Sequence, residues 1–207
     1  MGIDDIINIF DKGLKTLAGP QIASRQYPGR SEMDAELSDA DRRHSAALMR
    51  VNHSGEVCAQ ALYQGQALAT NDDALKSSFA HAAAEEADHL AWSERRIQEL
   101  GGNTSALNPV WYAGSFAMGF LAGKAGDRWN LAFLEETERQ VEKHLQGHLE
   151  RLHPGDNKTR EVIAAMKVDE VRHGQMAHAL GARELPDLVK KMMRCASKVM
   201  TRTSHYI

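Results

Sequence analysis

Apolar residues recur at positions 3, 6, 7, 10, 14 and 17, a spacing that lays one stripe along a helix from Ile3 to Leu17. The stretch from Ala18 to Ser38 breaks that rhythm, and its Gly19-Pro20 and Pro28-Gly29 pairs predict an extended connection. Ser38, with Asp39 and Asp41 behind it, reads as the cap and acidic first turn of a helix running to about Thr70. Asn71-Asp72-Asp73 makes a turn and caps a second helix over about 74–100, which Gly101-Gly102 ends. Asp127 opens a third long helix that closes before Pro154-Gly155, and Asp156 caps a fourth that closes at Gly181. Residues 186 to about 203 read as a final helix with Pro186 near its first turn. No strand pattern competes with any of these. The predicted fold is all-α: a four-helix bundle in which 38–100 and 127–181 look like a duplicated helix pair. Residues 1–37 form an N-terminal helix and connection, and 38–207 the bundle domain.

Between the halves, Pro109-Val-Trp-Tyr-Ala-Gly-Ser-Phe-Ala-Met-Gly-Phe-Leu-Ala-Gly-Lys124 is apolar and aromatic, with small residues spaced through it. It is too short to cross a bilayer. It reads either as a short crossover helix packed on the bundle or as an interfacial segment placing Trp111, Tyr112, Phe116 and Phe120 in a membrane surface. The second reading is favoured, because four helices already cover the core. In the last helix Lys190, Lys191, Arg194, Lys198 and Arg202 interleave with Leu188, Val189, Met192, Met193, Val199 and Met200. Such a basic amphipathic helix suits an anionic membrane surface, and an ordinary solvated face fits it nearly as well.

With 207 residues, 43% of them apolar and 26% charged, the chain is long enough for one full core and too apolar for extended disorder. The net charge of −3 gives no reason to expect nucleic acid as a partner. No run of 18 apolar residues occurs, so no spanning segment is expected. Met1-Gly-Ile-Asp-Asp is acidic where a secretory signal would be basic, which predicts no export. Cys58 and Cys195 make neither a zinc spacing nor a disulfide framework, so a reducing cytoplasm is the simpler setting and Cys58 reads as a small core residue.

The chemistry lies in a pattern that occurs twice. Glu56 is followed thirty residues later by Glu86-Ala-Asp-His89, and Glu138 is followed thirty-two residues later by Glu170-Val-Arg-His173. Residues three apart share a helix face, so each Glu-x-x-His aims a carboxylate and an imidazole the same way. A Glu one long helix and a short loop earlier returns to the same level on the antiparallel neighbour. Four glutamates and two histidines converging from four helices are the ligand set of ferritin-like di-iron and di-manganese proteins. A third pair, Glu150-Arg-Leu-His153, lacks the upstream Glu, runs into Pro154-Gly155 and reads as solvated helix surface. On the third helix Glu135, Glu138 and Glu142 share one face and spacing alone leaves all three open, while Glu136 is expected to face solvent. His53 and His144 are candidates to support a ligating carboxylate, and each reads equally well as a histidine with no such role. Carboxylates and imidazoles without thiolates suit iron or manganese. The ligand set permits O2-dependent oxidation of an organic molecule, iron oxidation or peroxide dismutation, and does not choose among them.

Arg50-Val-Asn-His-Ser-Gly-Glu56, Glu86-x-x-His89, Glu138 with His144 six residues on, and Asp169-Glu170-Val-Arg-His173 together resemble the demethoxyubiquinone hydroxylase family of ubiquinone biosynthesis. The resemblance runs from about residue 40 to the C-terminus, and Arg-Val-x-His-x-Gly-Glu is its most specific part. It implies metal ligands at Glu56, Glu86, His89, Glu138, Glu170 and His173, the His six residues on singling out Glu138. It further implies a carboxylate-bridged centre of two Fe ions that uses O2 to hydroxylate the ring of a polyprenylated 6-methoxy-3-methyl-1,4-benzoquinol. The second oxygen leaves as water. Because that substrate resides in lipid, the resemblance implies peripheral attachment to the cytoplasmic side of the cell membrane, and other ubiquinone-biosynthesis enzymes as possible partners. Leu145 stands where many family members carry Tyr, so no role of a tyrosine there transfers. The N-terminal 40 residues and basic last helix are similar to the longer bacterial form. The competing readings are a ferritin-like iron-handling protein and a manganese catalase.

Overall fold

The computed structural model describes the backbone of residues 3–33 and 35–207 and the side chains from residue 7 onward within them. Met1 and Gly2, at the head of the acidic N-terminus, lie outside the described residues, as do the side chains of Ile3 and Ile6 in the first stripe. Among the described residues there is no strand, and the α-helices follow in order: α1 (Ile3–Ala18), α2 (Asp39–Ala69), α3 (Asp73–Glu99), α4 (Asn108–Lys124), α5 (Asp127–Arg151), α6 (Asn157–Ala179) and α7 (Asp187–Ser204). A single 3-10 turn, Pro28–Arg30, interrupts the connection after α1.

The expected caps form. Ser38 Oγ accepts the Asp41 amide at 3.2 Å, and Asp72 Oδ1 accepts the amides of Ala74 and Leu75 at 2.8 and 3.1 Å. Asp156 Oδ1 accepts the Thr159 amide at 3.2 Å and also takes Arg96 Nη2 at 2.8 Å, so one carboxylate both starts α6 and ties it to α3. Gly101 and Gly181, at φ +78° and +99°, end α3 and α6 in the left-handed conformation that glycine adopts without strain.

Asn71 stands midway between Glu56 and Glu86, and Pro154 midway between Glu138 and Glu170. Each turn therefore folds its helix pair antiparallel with those glutamates level. Two apolar clusters fill the bundle. Leu48, Met49, Trp92, Ile97, Leu145, Ile163 and Met166 belong to one, and Tyr63, Phe79, Leu131, Leu134 and Ala177 to the other. On every helix of the bundle the predicted polar residues fall between the two clusters in sequence. They form a polar belt, and each large apolar side chain buried above and below it contributes about 1.5–3 kcal/mol.

The segment between the halves forms α4, which lies along α2. The two helices meet at glycines: a Cβ built on Gly65 would fall on the Phe116 carbonyl oxygen, and one on Gly119 would fall on that of Leu62. Gly119 and, a turn later, Gly123 are thus its packing surface, while Ala113, Gly114 and Ala117 are exposed. The aromatic anchors expected at a membrane surface, Trp111, Tyr112, Phe116 and Phe120, are half-buried, and the exposed apolar residues are instead Val110, Met118 and Leu121.

Candidate metal centre

Glu56 from α2, Glu86 and His89 from α3, Glu138 from α5, and Glu170 and His173 from α6 meet inside the bundle, none more than 3% exposed. They form two overlapping groups, Glu56, Glu86, His89 and Glu170, and Glu86, Glu138, Glu170 and His173. Within each, one donor atom per residue lies within 4.8 Å of the others, so each group can hold a metal ion. Glu86 and Glu170 belong to both. Glu86 turns Oε2 to His89 Nδ1 at 2.8 Å and Oε1 to His173 Nδ1 at 3.0 Å. Glu170 likewise turns one oxygen to each imidazole, at 3.7 and 3.9 Å.

The far nitrogen of each imidazole is held by an acid from the opposite half. His89 Nε2 lies 2.9 Å from Asp169 Oδ2, and His173 Nε2 lies 2.8 Å from Glu85 Oε2. These carboxylates favour the proton on Nε2 and leave the Nδ1 lone pair facing the centre, as a ligating imidazole requires. Sequence reasoning gives neither residue a role, Asp169 entering only as part of the Asp169-Glu170-Val-Arg-His173 motif, although a signal exists: an acid directly precedes each Glu-x-x-His. It also missed Tyr63, seven residues after Glu56, whose buried hydroxyl donates to Glu138 Oε1 at 2.6 Å.

Burial and mutual repulsion disfavour the ionised form of most carboxylates in the cluster. Burial and the Glu86 charge push Glu56 up to about 8 and Glu170 up to about 7. Burial and Glu170 push Glu138 well above the usual range. Glu86 alone is held low, burial notwithstanding, by His89 and His173. Both imidazoles are in turn raised against the effect of burial, His89 chiefly by Glu86 and His173 to about 11 by Glu170 and Glu86. Buried like charges of this kind call for a countercharge. The buried Glu86 Oε1 and His173 Nδ1 make no hydrogen bond despite their 3.0 Å separation, an arrangement suited to two lone pairs sharing a cation.

The other candidates fall elsewhere. His53 is buried beside Asn108 Nδ2 at 3.3 Å, and burial lowers it to about 4. His144 packs against His148 with ring centroids 3.9 Å apart and the rings tilted by 59°, its buried Nε2 without a hydrogen-bond partner. Glu135 pairs with exposed His178 at 3.0 Å, and Glu150 and His153 are exposed, as expected of solvated surface. Glu136 does not face solvent. It is 5% exposed, bonded to Arg139 and Gln140 on its own helix, with Arg194 of α7 at 3.9 Å.

A cavity of about 320 Å³ reaches the centre from one side. Its walls come from α2, α4, α5 and α7, including Leu62, Trp111, Met118, Phe133, Val141, Met193 and Met200, with Cys58 among them. Glu56, Glu138 and Glu170 lie at its inner end. A Cβ on Gly55 or Gly114, both in the wall, would meet nothing within 4 Å. The space is thus mostly apolar, with carboxylates of the polar belt at its floor.

Residues 43–204 match the family model described as ubiquinone biosynthesis protein COQ7. A protein of Aromatoleum aromaticum named 3-demethoxyubiquinol 3-hydroxylase is 56% identical over 205 residues, covering 99% of this chain and 100% of the relative. Proteins of the same name from Chromobacterium violaceum and Nitrosomonas europaea are each 52% identical, over 99% and 100% of this chain and the whole of each relative.

Proposed function

The chain belongs to the COQ7 family of ubiquinone biosynthesis proteins, and from that premise we propose that it is a di-iron monooxygenase hydroxylating the ring of a polyprenylated 6-methoxy-3-methyl-1,4-benzoquinol. One observation carries the reading. The apolar cavity ends on three of the six converging residues, so an apolar ring in it lies against the site that would hold the metals.

Glu56, Glu86, His89 and Glu170 would hold one iron ion, and Glu86, Glu138, Glu170 and His173 the other. Four carboxylates balance two divalent ions in charge, which relieves the repulsion that drives Glu56, Glu138 and Glu170 upward. When bound, the iron pair would supply O2 activation, one oxygen atom going to the ring and the other leaving as water with two electrons from an external reductant and two protons. The protein supplies the rest. Asp169 and Glu85 orient the imidazoles, and Tyr63 fixes Glu138. The apolar cavity wall excludes water, while Ser115, Thr137 and Gln140 within it offer polar atoms to quinol oxygens. Gly55 leaves open space directly beside Glu56 for the ring.

The membrane is part of the same reading: the protein sits peripherally on the cytoplasmic face of the cell membrane. Large apolar residues stand exposed on α4 (Val110, Leu121), on α7 (Leu188, Met192, Val199) and on α1 (Ile7, Phe10, Leu14). No helix among the described residues is long and apolar enough to cross a membrane. α4 and α7 also wall the cavity, so a lipid-anchored quinol could enter between them with its tail left in the bilayer.

The test supplies iron-loaded protein with demethoxyquinol, a reductant and O2, and separately with hydrogen peroxide or excess ferrous iron. A quinol product heavier by one oxygen supports the proposal. Peroxide dismutation or ferric mineral formation without quinol product would replace it with the catalase or iron-handling reading.

A further inference from the structure

The region matched by the family model begins at residue 43, yet part of the metal centre's support comes from before it. After α1 the chain crosses the bundle as an extended strap. Gln21 Nε2 closes the end of α1 on the Lys15 and Gly19 carbonyls, at 3.0 and 2.9 Å. Further on, the Ala35 amide donates to Gly155 O at 3.0 Å, and Asn157 of α6 donates to Met33 O at 2.9 Å. Between these anchors Arg25 reaches into the bundle. Its Nε donates to Asp88 Oδ2 at 2.6 Å, its Nη1 to Asp169 Oδ2 at 2.7 Å, and its guanidinium lies 4.7 Å over the Trp92 ring. Ser24 adds its hydroxyl to both Asp88 oxygens at 3.1 Å.

Asp169 Oδ2 is the same oxygen that holds His89 Nε2. One carboxylate oxygen thus joins a cation on the strap to an imidazole at the centre. The opposite imidazole is served differently: His173 rests on Glu85, whose carboxylate Arg172 of α6 holds at 2.7 Å; among the described residues no strap side chain bonds that carboxylate, and Arg25 Nη2 reaches Glu85 only at its backbone carbonyl, at 3.5 Å. Arg172 also reaches Asp169, but through Oδ1 at 2.6 Å, leaving the oxygen on His89 to Arg25 alone of the two.

We infer that the strap is a working part of the metal centre: Arg25 is a positioning residue that, through Asp169, sets the orientation and donor strength of His89. It therefore governs one of the two metal positions, that of Glu56, Glu86, His89 and Glu170, more than the other. A carboxylate shared with a guanidinium keeps its place but gives up part of its charge, so Arg25 both fixes Asp169 and moderates its pull on the imidazole proton. The inference rests on the proposed two-metal reading of the site.

The test is a titration of metal-free full-length protein with Co(II), followed by its visible absorption, for wild type, Arg25→Gln and Arg25→Lys. Circular dichroism is recorded on each. Wild type takes up two ions. Arg25→Gln is expected to keep its helicity and one ion at wild-type affinity, to bind the other about 10-fold more weakly with a shifted spectrum, and Arg25→Lys to recover part of that loss. Two ions bound at wild-type affinity with an unshifted spectrum in Arg25→Gln would overturn the inference. So would equal weakening of both ions together with lost helicity, which marks the strap as a folding element only. Failure of wild type itself to bind two ions would instead sink the two-metal reading.

Discussion

Gly65→Ala places a methyl group where α2 and α4 touch, and its cost follows from the distances there. The new Cβ would fall on the Phe116 carbonyl oxygen and stand 2.7 Å from the Phe120 amide nitrogen, against an ordinary contact of 3.4 Å or more. Both neighbours are helix backbone, so no side chain can swing aside. α4 must retreat by about 0.7 Å or more along its packed length. Overpacking of this kind costs about 1–3 kcal/mol, and the upper end is expected because a rigid helix has to move. The Ala helix preference returns only about 1 kcal/mol. A net loss of about 2 kcal/mol lowers the midpoint of thermal unfolding by roughly 4–8 °C for a chain of this size. α4 carries none of the six converging residues but walls the cavity, so the variant is expected to keep both metal ions while quinol KM rises. Differential scanning calorimetry and metal analysis on one preparation check both halves. An unchanged midpoint would refute the close-packed glycine crossing.

Gly55→Ala, ten residues earlier on the same helix, is expected to do the reverse. Its Cβ meets nothing within 4 Å, so stability rises by up to about 1 kcal/mol while the narrowed cavity raises quinol KM, read from unfolding curves and steady-state kinetics. Glu86→Ala and Glu170→Ala are expected to lose both metal ions, whereas Glu56→Ala and Glu138→Ala weaken chiefly one, as metal analysis will report. His148 is buried and lowered to about 2 against an ordinary 6.5, by burial first and by the charge of His144 next. The unfolded chain therefore takes up this proton first, and stability is lost as pH falls below 6.5. At pH 5 the loss is about 2 kcal/mol, and His148→Gln should flatten urea-unfolding stability between pH 7 and 5 by that amount. Replacing Val110, Met118 and Leu121 together with Ser is expected to reduce sedimentation with anionic vesicles several-fold while leaving metal content unchanged.

The helical skeleton and the six converging residues were legible because both depend on local rules. Caps such as Ser38, Asp72 and Asp156 announce themselves by residue type, and a turn midway between two glutamates sets their register whatever else packs around them. Spacing alone could not separate Glu138 from Glu135, since they share a face. Depth separates them, with Glu138 3% exposed and Glu135 paired to a surface histidine. Glu136 was misjudged because its burial involves α7, a helix more than fifty residues away whose docking no local pattern announces. The apolar segment presented a similar ambiguity. Small and large residues alternate through it, and only the fold reveals that Gly119 and Gly123 face α2 while Val110 and Leu121 face outward. Arg25 lies in an extended stretch with no periodicity, so nothing in its neighbourhood ties it to an aspartate 144 residues away.

The central claim is that the six residues hold two irons that place an oxygen atom from O2 on a quinol ring lying in the adjoining cavity. A single turnover under ¹⁸O2 tests it most directly, with reduced iron-loaded protein, demethoxyquinol and mass analysis of the product. The account predicts one ¹⁸O atom in the quinol for wild type and none for Glu170→Ala. Product formed without ¹⁸O, or labelled equally by Glu170→Ala after its loss of iron is verified, would contradict it.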